Sequence, residues 1–316
     1  MWTGIDILYT LQDLRMDFPI LEEMFKFLSS RLFYLVLPML IALALYWVAD
    51  KRQGEIVILS CVSGMSLAMS AKFIIAQPRP WILDPSIEHV EGINSNGYSC
   101  PSGHTTISVS TYIPAAVFIK KHIVSLLLVI LTILIISARL VLCAHTPLDI
   151  MVGVLIGSLS AVVAWKAVDI GDTSDRNFIA VNAAYLMLFI ATFLIAIVLF
   201  DADVYEISRY AGFLYGMILG RCLEHFKMHH SVNDGSVVEK IKMLIIGSVT
   251  SGIVLAVPMI LIPNVGTFIG GFLLMIWGLA VFPKLYIERF RLLLYLTRPG
   301  PPDLIGRKDS YTMWWG

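Results

Sequence analysis

Charge is scarce in this chain of 316 residues. Charged residues make up 15% of it and hydrophobic residues 58%, and the mean hydropathy is +0.80. Ordinary soluble domains are about a quarter charged and about half apolar, so the composition indicates a protein embedded in a lipid bilayer. The formal net charge is zero, which gives no reason to expect a nucleic acid as a partner.

Cysteine is scarce as well. The four cysteines show neither the spacing of a metal site nor that of a secreted disulfide framework, so we expect free thiols. The first 30 residues lack a basic stretch followed by an apolar one, and we expect the first membrane-spanning helix to direct insertion. The chain also lacks a long linker, a low-complexity tract and a clear repeat, which favours one membrane domain.

Long apolar runs are what the chain does have. Runs of about 20 residues are long enough to cross a bilayer, and here they predict nine transmembrane helices, at 32–49, 55–77, 104–119, 123–143, 147–169, 178–200, 208–226, 242–262 and 266–286. The third run is short and rich in serine and threonine, as expected for a helix that lines a polar cavity. The seventh has the weakest pattern, because Arg209 and Arg221 bracket a brief apolar core.

Before these runs, residues 5–29 place apolar side chains at helical spacing among charged ones. This pattern predicts an amphipathic helix on the membrane surface. The expected fold class is therefore all-α: a polytopic membrane helix bundle with about nine transmembrane helices and an N-terminal interfacial helix.

Three short polar clusters stand at the ends of apolar runs. They are Lys72 with Arg79-Pro80, the segment Pro101-Ser102-Gly103-His104, and Arg139 with His145 and Asp149. Cations and imidazoles are costly beside hydrocarbon, so we expect the three clusters to face one polar cavity. Excess positive charge, a turn of backbone donors and two imidazoles together favour phosphoryl transfer.

The first two clusters also have simpler interpretations. Lys72 and Arg79 are explained equally well as cations that extend toward lipid headgroups, although the prolines that flank Arg79 favour a positioned guanidinium. Ser102 and Gly103 alone suit a plain loop-to-helix junction. His104 adds a titratable group there, and the free amides of a helix start can bind an anion.

The third cluster lies at the predicted start of a helix, with Pro147 in the first helical position. Asp149 either caps this helix or holds one ring nitrogen of His145 and leaves the lone pair of the other free to attack. The two roles are compatible, and both stay open at this point.

In this order and spacing, the three motifs resemble those of the type 2 phosphatidic acid phosphatase superfamily, which also contains glucose-6-phosphatase and vanadium haloperoxidases. The resemblance runs from Lys72 to Asp149 and implies a six-helix phosphatase core that needs neither metal nor other cofactor. One position departs from the family pattern. Ala138 stands where the family usually has serine before the arginine, with Ser137 one residue earlier, which puts a supporting hydrogen bond in question.

The resemblance implies that His145 attacks phosphorus and becomes a phosphohistidine, that Asp149 orients it, and that His104 protonates the leaving oxygen. It implies that the phosphoryl oxygens are bound by Lys72, Arg79, Arg139 and the amides of Ser102 and Gly103. The residue types agree with this, because phosphoryl transfer needs positioning and charge stabilisation. No compact set of carboxylates in the sequence suggests magnesium.

The expected function is hydrolysis of a lipid phosphate or diphosphate by an integral membrane enzyme, with membrane lipids as its surroundings. Candidate substrates are phosphatidate, phosphatidylglycerophosphate, sphingoid phosphates and prenyl diphosphates. The alternatives are a glucose-6-phosphatase-like enzyme for a polar phosphoester, a lipid phosphotransferase, and a non-catalytic transporter or binding protein on the same scaffold. Residues 1–170 are expected to form the N-terminal helix and catalytic core, and residues 171–316 the remaining helices and a C-terminal extension of the same membrane domain.

Orientation is predicted from lysine and arginine. With nine spans the three motifs fall on one side of the membrane, here called the active face. Seven of the 23 lysines and arginines fall on that side, namely Arg15, Lys26, Arg31, Lys72, Arg79, Arg139 and Arg209. Because these residues accumulate on the cytoplasmic side of membranes, we expect the active face to lie outside the cytoplasm, in the cell membrane.

Overall fold

The computed structural model describes residues 4–93, 95, 97–232, 235–262 and 265–297, with side chains up to residue 289. Within these residues the chain is helical and contains no strand. The helices are α1 (Asp6–Asp17), α2 (Pro19–Leu28), α3 (Leu37–Ala44), α4 (Lys51–Ile75), α5 (Pro80–Leu83), α6 (Gly103–Phe118), α7 (His122–Val141), α8 (Pro147–Gly171), α9 (Asp175–Phe200), α10 (Val204–Leu223), α11 (Val237–Leu261), α12 (Gly266–Ile276) and α13 (Phe282–Thr297). Short π-helical segments flank α3, extend α10, and join α12 to α13.

Among the described residues, seven helical stretches are long and apolar enough to cross a membrane. They are Pro19–Ala49, Lys51–Leu83, His122–Val141, Pro147–Gly171, Asp175–Phe200, Val237–Leu261 and Gly266–Arg289. Helices α6 and α10 occupy the other two predicted spans, but α6 has only 16 residues, and α10 carries Glu206, Arg209 and Arg221. The all-helical membrane fold is confirmed, whereas the count of nine spans stays a prediction.

Close contact between α6 and α8 depends on two glycines of α8. A Cβ at Gly153 would lie 2.9 Å from the carbonyl oxygen of Ser102, and a Cβ at Gly157 would lie 2.8 Å from that of Thr106. Small residues four apart let helix backbones approach one another in membranes. This packing sets the start of α6, which carries the second motif, beside the start of α8, which follows His145.

A partly buried ion pair joins the C-terminal helices to the N-terminal half. Arg221 of α10 is 4% exposed, and its Nε donates to Glu55 Oε1 of α4 at 2.6 Å. Its Nη1 donates to Asn182 Oδ1 of α9 at 2.9 Å. An arginine inside a helix bundle is tolerated because its charge is paired, which explains how the seventh predicted run accommodates it.

The N-terminal segment forms two helices instead of the single one predicted over residues 5–29. The break falls at Phe18, because Pro19 occupies the first position of α2. One face of the pair packs on protein: Leu8 contacts Cys143, and Phe25 packs with Ala138 at the end of α7. The two helices therefore cover the end of the bundle at which α7 ends.

Candidate active site

The three motifs meet at one end of the helix bundle. Lys72 lies in the last turn of α4, Arg79 directly precedes α5, Ser102 caps α6, Arg139 lies in the last turn of α7, and His145 precedes α8. Apart from Lys72, which is half-buried, the charged and imidazole side chains of the motifs are each at most 5% exposed. The structure thus brings together residues that lie up to about eighty positions apart in the sequence.

The start of α8 is fixed by a reciprocal cap. The Thr146 backbone N–H donates to Asp149 Oδ2 at 2.7 Å, and the Asp149 N–H donates to Thr146 Oγ1 at 3.3 Å. This capping box sets His145 immediately before the helix. Asp149 therefore has the capping role that the sequence left open.

The surroundings of His145 identify its tautomer. Its Nε2 lies 3.2 Å from Arg79 Nη1, and since a guanidinium only donates, Nε2 accepts and the neutral ring carries its proton on Nδ1. That Nδ1 lies 3.4 Å from Ser99 Oγ and 3.6 Å from Asp149 Oδ2. The second distance is too long for a hydrogen bond, so Ser99 stands where the sequence predicted a direct contact with the carboxylate.

His145 lies in the short connection between α7 and α8, and its pKa is lowered from the ordinary histidine value. Burial is the largest cause, followed by the positive charges of Arg79, Arg139 and Lys72. The lowered pKa keeps the ring neutral, with a lone pair on Nε2, in more acidic solution than an ordinary histidine tolerates.

The two cations of the first motif are held by the loop that precedes the second. Lys72 Nζ donates to the carbonyl oxygens of Tyr98 at 2.6 Å and Ser99 at 3.3 Å. Arg79 Nε donates to the carbonyl oxygen of Gly97 at 3.0 Å. These contacts favour positioned cations over side chains that extend to headgroups.

The second motif is tied to the third through Ser102. The Ser102 N–H donates to the Asp149 carbonyl oxygen at 3.0 Å, and Ser102 Oγ accepts from the Thr105 N–H at the start of α6. The Ser102 N–H is thus engaged within the protein, and its contact with a phosphate, which would require the bond to Asp149 to break, stays a prediction. A Cβ at Gly103 would meet no atom within 4 Å, so protein packing does not demand glycine there.

His104 is held by the N-terminal segment. Its Nε2 lies 3.1 Å from the Ser29 carbonyl oxygen, which only accepts, so Nε2 carries a hydrogen. Its ring centroid lies 4.3 Å from that of Tyr34. The sequence did not point to Ser29 or Tyr34, because the pattern there indicates only an amphipathic segment followed by an apolar one.

Arg139 is fully buried in the last turn of α7. Ala138, at the position that departs from the family pattern, is also fully buried and packs in an apolar cluster with Phe25 and Leu28. A serine hydroxyl would have to enter that cluster, which gives a local reason for alanine.

In the described part of the chain, no three His, Cys, Asp or Glu side chains are grouped so as to hold a metal ion. The carboxylate of the site, Asp149, already accepts from Thr146 and Ser99 through Oδ2. The charge available for an anion comes from Lys72, Arg79 and Arg139.

Two family models match the chain. Residues 54–170 match the PAP2 superfamily, and residues 208–292 match the PAP2 superfamily phosphatase transmembrane extension. Together the two matches span more than half of the chain, and the first contains all three motifs. The chain belongs to the PAP2 superfamily. This confirms the resemblance drawn from the motifs and makes the protein a membrane phosphatase at the level of the superfamily.

Among solved structures, the crystal structure of Aquifex aeolicus LpxE is similar, with 26% sequence identity, a TM-score of 0.41, and coverage of 52% of this chain and 96% of that one. No curated protein matches the chain. The second PAP2 match runs from α10 into α13, so the C-terminal helices that the motifs did not explain are an element found in other members of the superfamily.

Proposed function

We propose that this PAP2 superfamily protein hydrolyses a lipid phosphate or diphosphate through a phosphohistidine at His145. The main support is the unprotonated Nε2 of His145, which lies 3.2 Å from Arg79 Nη1 in a site that holds two further cations. Attack on an anionic phosphoryl group requires an unprotonated nucleophile beside cations that hold the group, and His145 Nε2 meets both conditions.

Binding of the phosphoryl group is assigned to Lys72, Arg79, Arg139 and the amide of Gly103. Arginine presents a planar fork to two oxygens, and lysine supplies a point charge. The amide of Gly103 lies in the first turn of α6, where the helix dipole favours an anion. Three cations offset the negative charge of the group without a divalent ion.

Two half-reactions follow. In the first, a bond forms between His145 Nε2 and phosphorus while the bond from phosphorus to the leaving oxygen breaks, and His104 gives that oxygen a proton. In the second, water attacks the phosphohistidine, His104 takes a proton from the water, and inorganic phosphate leaves as the bond to Nε2 breaks. His104 ends as it began.

A lipid substrate is favoured by the surface around the site. Helices α1 and α2 cover this end of the bundle and direct apolar side chains outward, among them Ile20 at 75% and Phe27 at 59% exposure. Such a surface suits the boundary between headgroups and acyl chains. A phosphate carried by a lipid is held at that same depth.

The purified protein is expected to release phosphate from at least one of phosphatidate, phosphatidylglycerophosphate, a sphingoid phosphate and a prenyl diphosphate, in preference to glucose 6-phosphate. EDTA should leave the rate unchanged, because the charge is supplied by side chains. Vanadate should inhibit as a mimic of five-coordinate phosphorus. Preference for the sugar phosphate would reject the lipid substrate. Loss of activity with EDTA and its recovery with magnesium would reject the metal-independent mechanism. Absence of turnover on all of these substrates would favour a non-catalytic scaffold.

We also propose that the active face lies outside the cytoplasm, on the basis of the distribution of lysine and arginine. Sealed right-side-out vesicles should then hydrolyse a membrane-impermeant substrate as fast before detergent is added as after it. Inside-out vesicles serve as the control and should require detergent. The opposite pattern would reverse the orientation and leave the chemistry unaffected.

A further inference from the structure

Ser99 belongs to none of the three motifs, yet its side chain lies between two of the proposed catalytic residues. Ser99 Oγ lies 2.5 Å from Asp149 Oδ2 and 3.4 Å from His145 Nδ1. The carboxylate only accepts, so the hydroxyl hydrogen is directed to Asp149. The oxygen of Ser99 then accepts from the hydrogen on Nδ1 of His145.

On the basis of the proposed function, we propose that Ser99 positions the nucleophile. It is the middle member of a hydrogen-bonded chain that runs from His145 Nδ1–H through the Ser99 hydroxyl to the Asp149 carboxylate. Arg79 fixes the same tautomer from the other side of the ring, because it donates toward Nε2. Each hydrogen in the chain has one assignment that satisfies all of these contacts.

The backbone of Ser99 is itself held in place. Its N–H donates to the Gln77 carbonyl oxygen at 2.7 Å, and its carbonyl oxygen accepts from Lys72 Nζ at 3.3 Å. The residue is fully buried. Ser99 is thus bound to the first motif by its backbone and to the third by its side chain. These contacts hold its hydroxyl in place beside the imidazole of His145.

The hydrogen-bonded chain from His145 through Ser99 to Asp149 has two effects on the reaction. It holds the ring so that the lone pair of Nε2 is directed away from Asp149 and toward the cations, and it connects the positive charge that develops on the ring during attack to a carboxylate. Partners that hydrogen-bond the far nitrogen of a metal-bound histidine typically contribute about 10- to 100-fold in affinity or activity, and we expect a contribution of similar size for this nucleophilic histidine. The effect is expected on kcat, because Ser99 is not assigned to the phosphoryl group.

The test compares Ser99→Ala with Ser60→Ala in the full-length protein. Ser60 is a matched control: it is equally buried, and its hydroxyl donates to the Ser110 carbonyl oxygen at 2.6 Å between α4 and α6. Ser99→Ala should lower kcat by about 10- to 100-fold with KM within about twofold, and Ser99→Thr should recover most of the loss. Ser60→Ala should leave both constants near wild type.

Coupling to Asp149 separates this role from a structural one. If the hydrogen-bonded chain acts as a unit, adding Ser99→Ala to Asp149→Asn should lower kcat by less than about a further threefold, because the effects of substitutions within one network are not additive. An equal loss in both backgrounds would overturn the proposal. A kcat equal to that of wild type in Ser99→Ala would also overturn it, because the Asp149 carboxylate would then orient His145 without the Ser99 hydroxyl.

A measurement on the unsubstituted protein covers the case in which Ser99→Ala does not fold. Nitrogen chemical shifts of histidine-labelled protein should show His145 protonated on Nδ1, with His145→Gln identifying its signal. Protonation on Nε2 would overturn the proposal. If wild type forms the phosphohistidine and Ser99→Ala reacts equally fast, the positioning role of Ser99 is rejected and the proposed function stands. If wild type forms no phosphohistidine, the proposed function is rejected.

Discussion

Replacement of His145 with alanine is expected to abolish turnover, with a loss on the order of 10⁴- to 10⁶-fold, as seen when the nucleophile of a covalent mechanism is removed. The lone pair on Nε2 is lost, and no other imidazole takes its place, because His104 is held with its Nε2 at the Ser29 carbonyl oxygen. Substrate should still bind, since the cations remain. Rapid acid or base quench of the reaction with radiolabelled substrate measures the phosphoenzyme, and calorimetry measures binding.

His122→Ala is the control for this variant, because His122 is exposed at the start of α7, far along the helix from Arg139. It should react like wild type. Label that persists in His145→Ala, or turnover close to that of His122→Ala, would assign the nucleophile elsewhere. A phosphohistidine is stable in base and labile in acid, so the quench conditions also distinguish it from a phosphoserine or an acyl phosphate.

The meeting of the three motifs was predictable from the sequence because the argument is energetic. Lys72, Arg79 and Arg139 are each costly beside hydrocarbon, and one shared polar site is the arrangement that offsets the cost for all of them. The start of α8 was predictable for a local reason, since Pro147 and Thr146 encode a helix start by themselves. Both predictions depend only on the nearest few residues in the sequence or on the free-energy cost of burying a charge.

The contact between Ser99 and His145 was not predictable in this way. It depends on the path of the chain between α5 and α6, where the described residues 84–93, 95 and 97–99 have little regular secondary structure. It also depends on carbonyl oxygens that any residue type could supply to Lys72 and Arg79. The N-terminal helices illustrate the same point. Their periodicity indicates two unlike faces, but it does not tell whether the buried face meets lipid or, as for Leu8, a protein surface.

Orientation and the residue ranges of the core and its extension stay predictions. The ion pair between Arg221 and Glu55 shows why the extension is difficult to separate from the core by sequence alone. Two residues that look unfavourable in their own apolar helices are stable because each is the partner of the other. Pairing of this kind, at a separation of more than 150 residues, leaves no local pattern.

Replacement of His104 with alanine is expected to produce a loss that depends on the leaving group. For an alkyl phosphate such as a lipid, the departing oxygen is a strong base and needs a proton, so the loss should be about 10²- to 10⁴-fold. For an activated aryl phosphate the departing oxygen is stable without one, and the loss should stay below about tenfold. Rates of phosphoenzyme formation with the two substrates measure the difference.

The pH dependence adds a second readout. His145 must be neutral to attack, so the rate falls as pH drops through its pKa, and the lowered pKa of this group places that limb below the ordinary value of about 6.5. His104 must be protonated to act as an acid, so the rate falls again as pH rises through its pKa. In His104→Ala the alkaline limb should disappear while the acid limb stays. Equal losses on both substrates with an unchanged profile would show that the leaving oxygen takes its proton from another group.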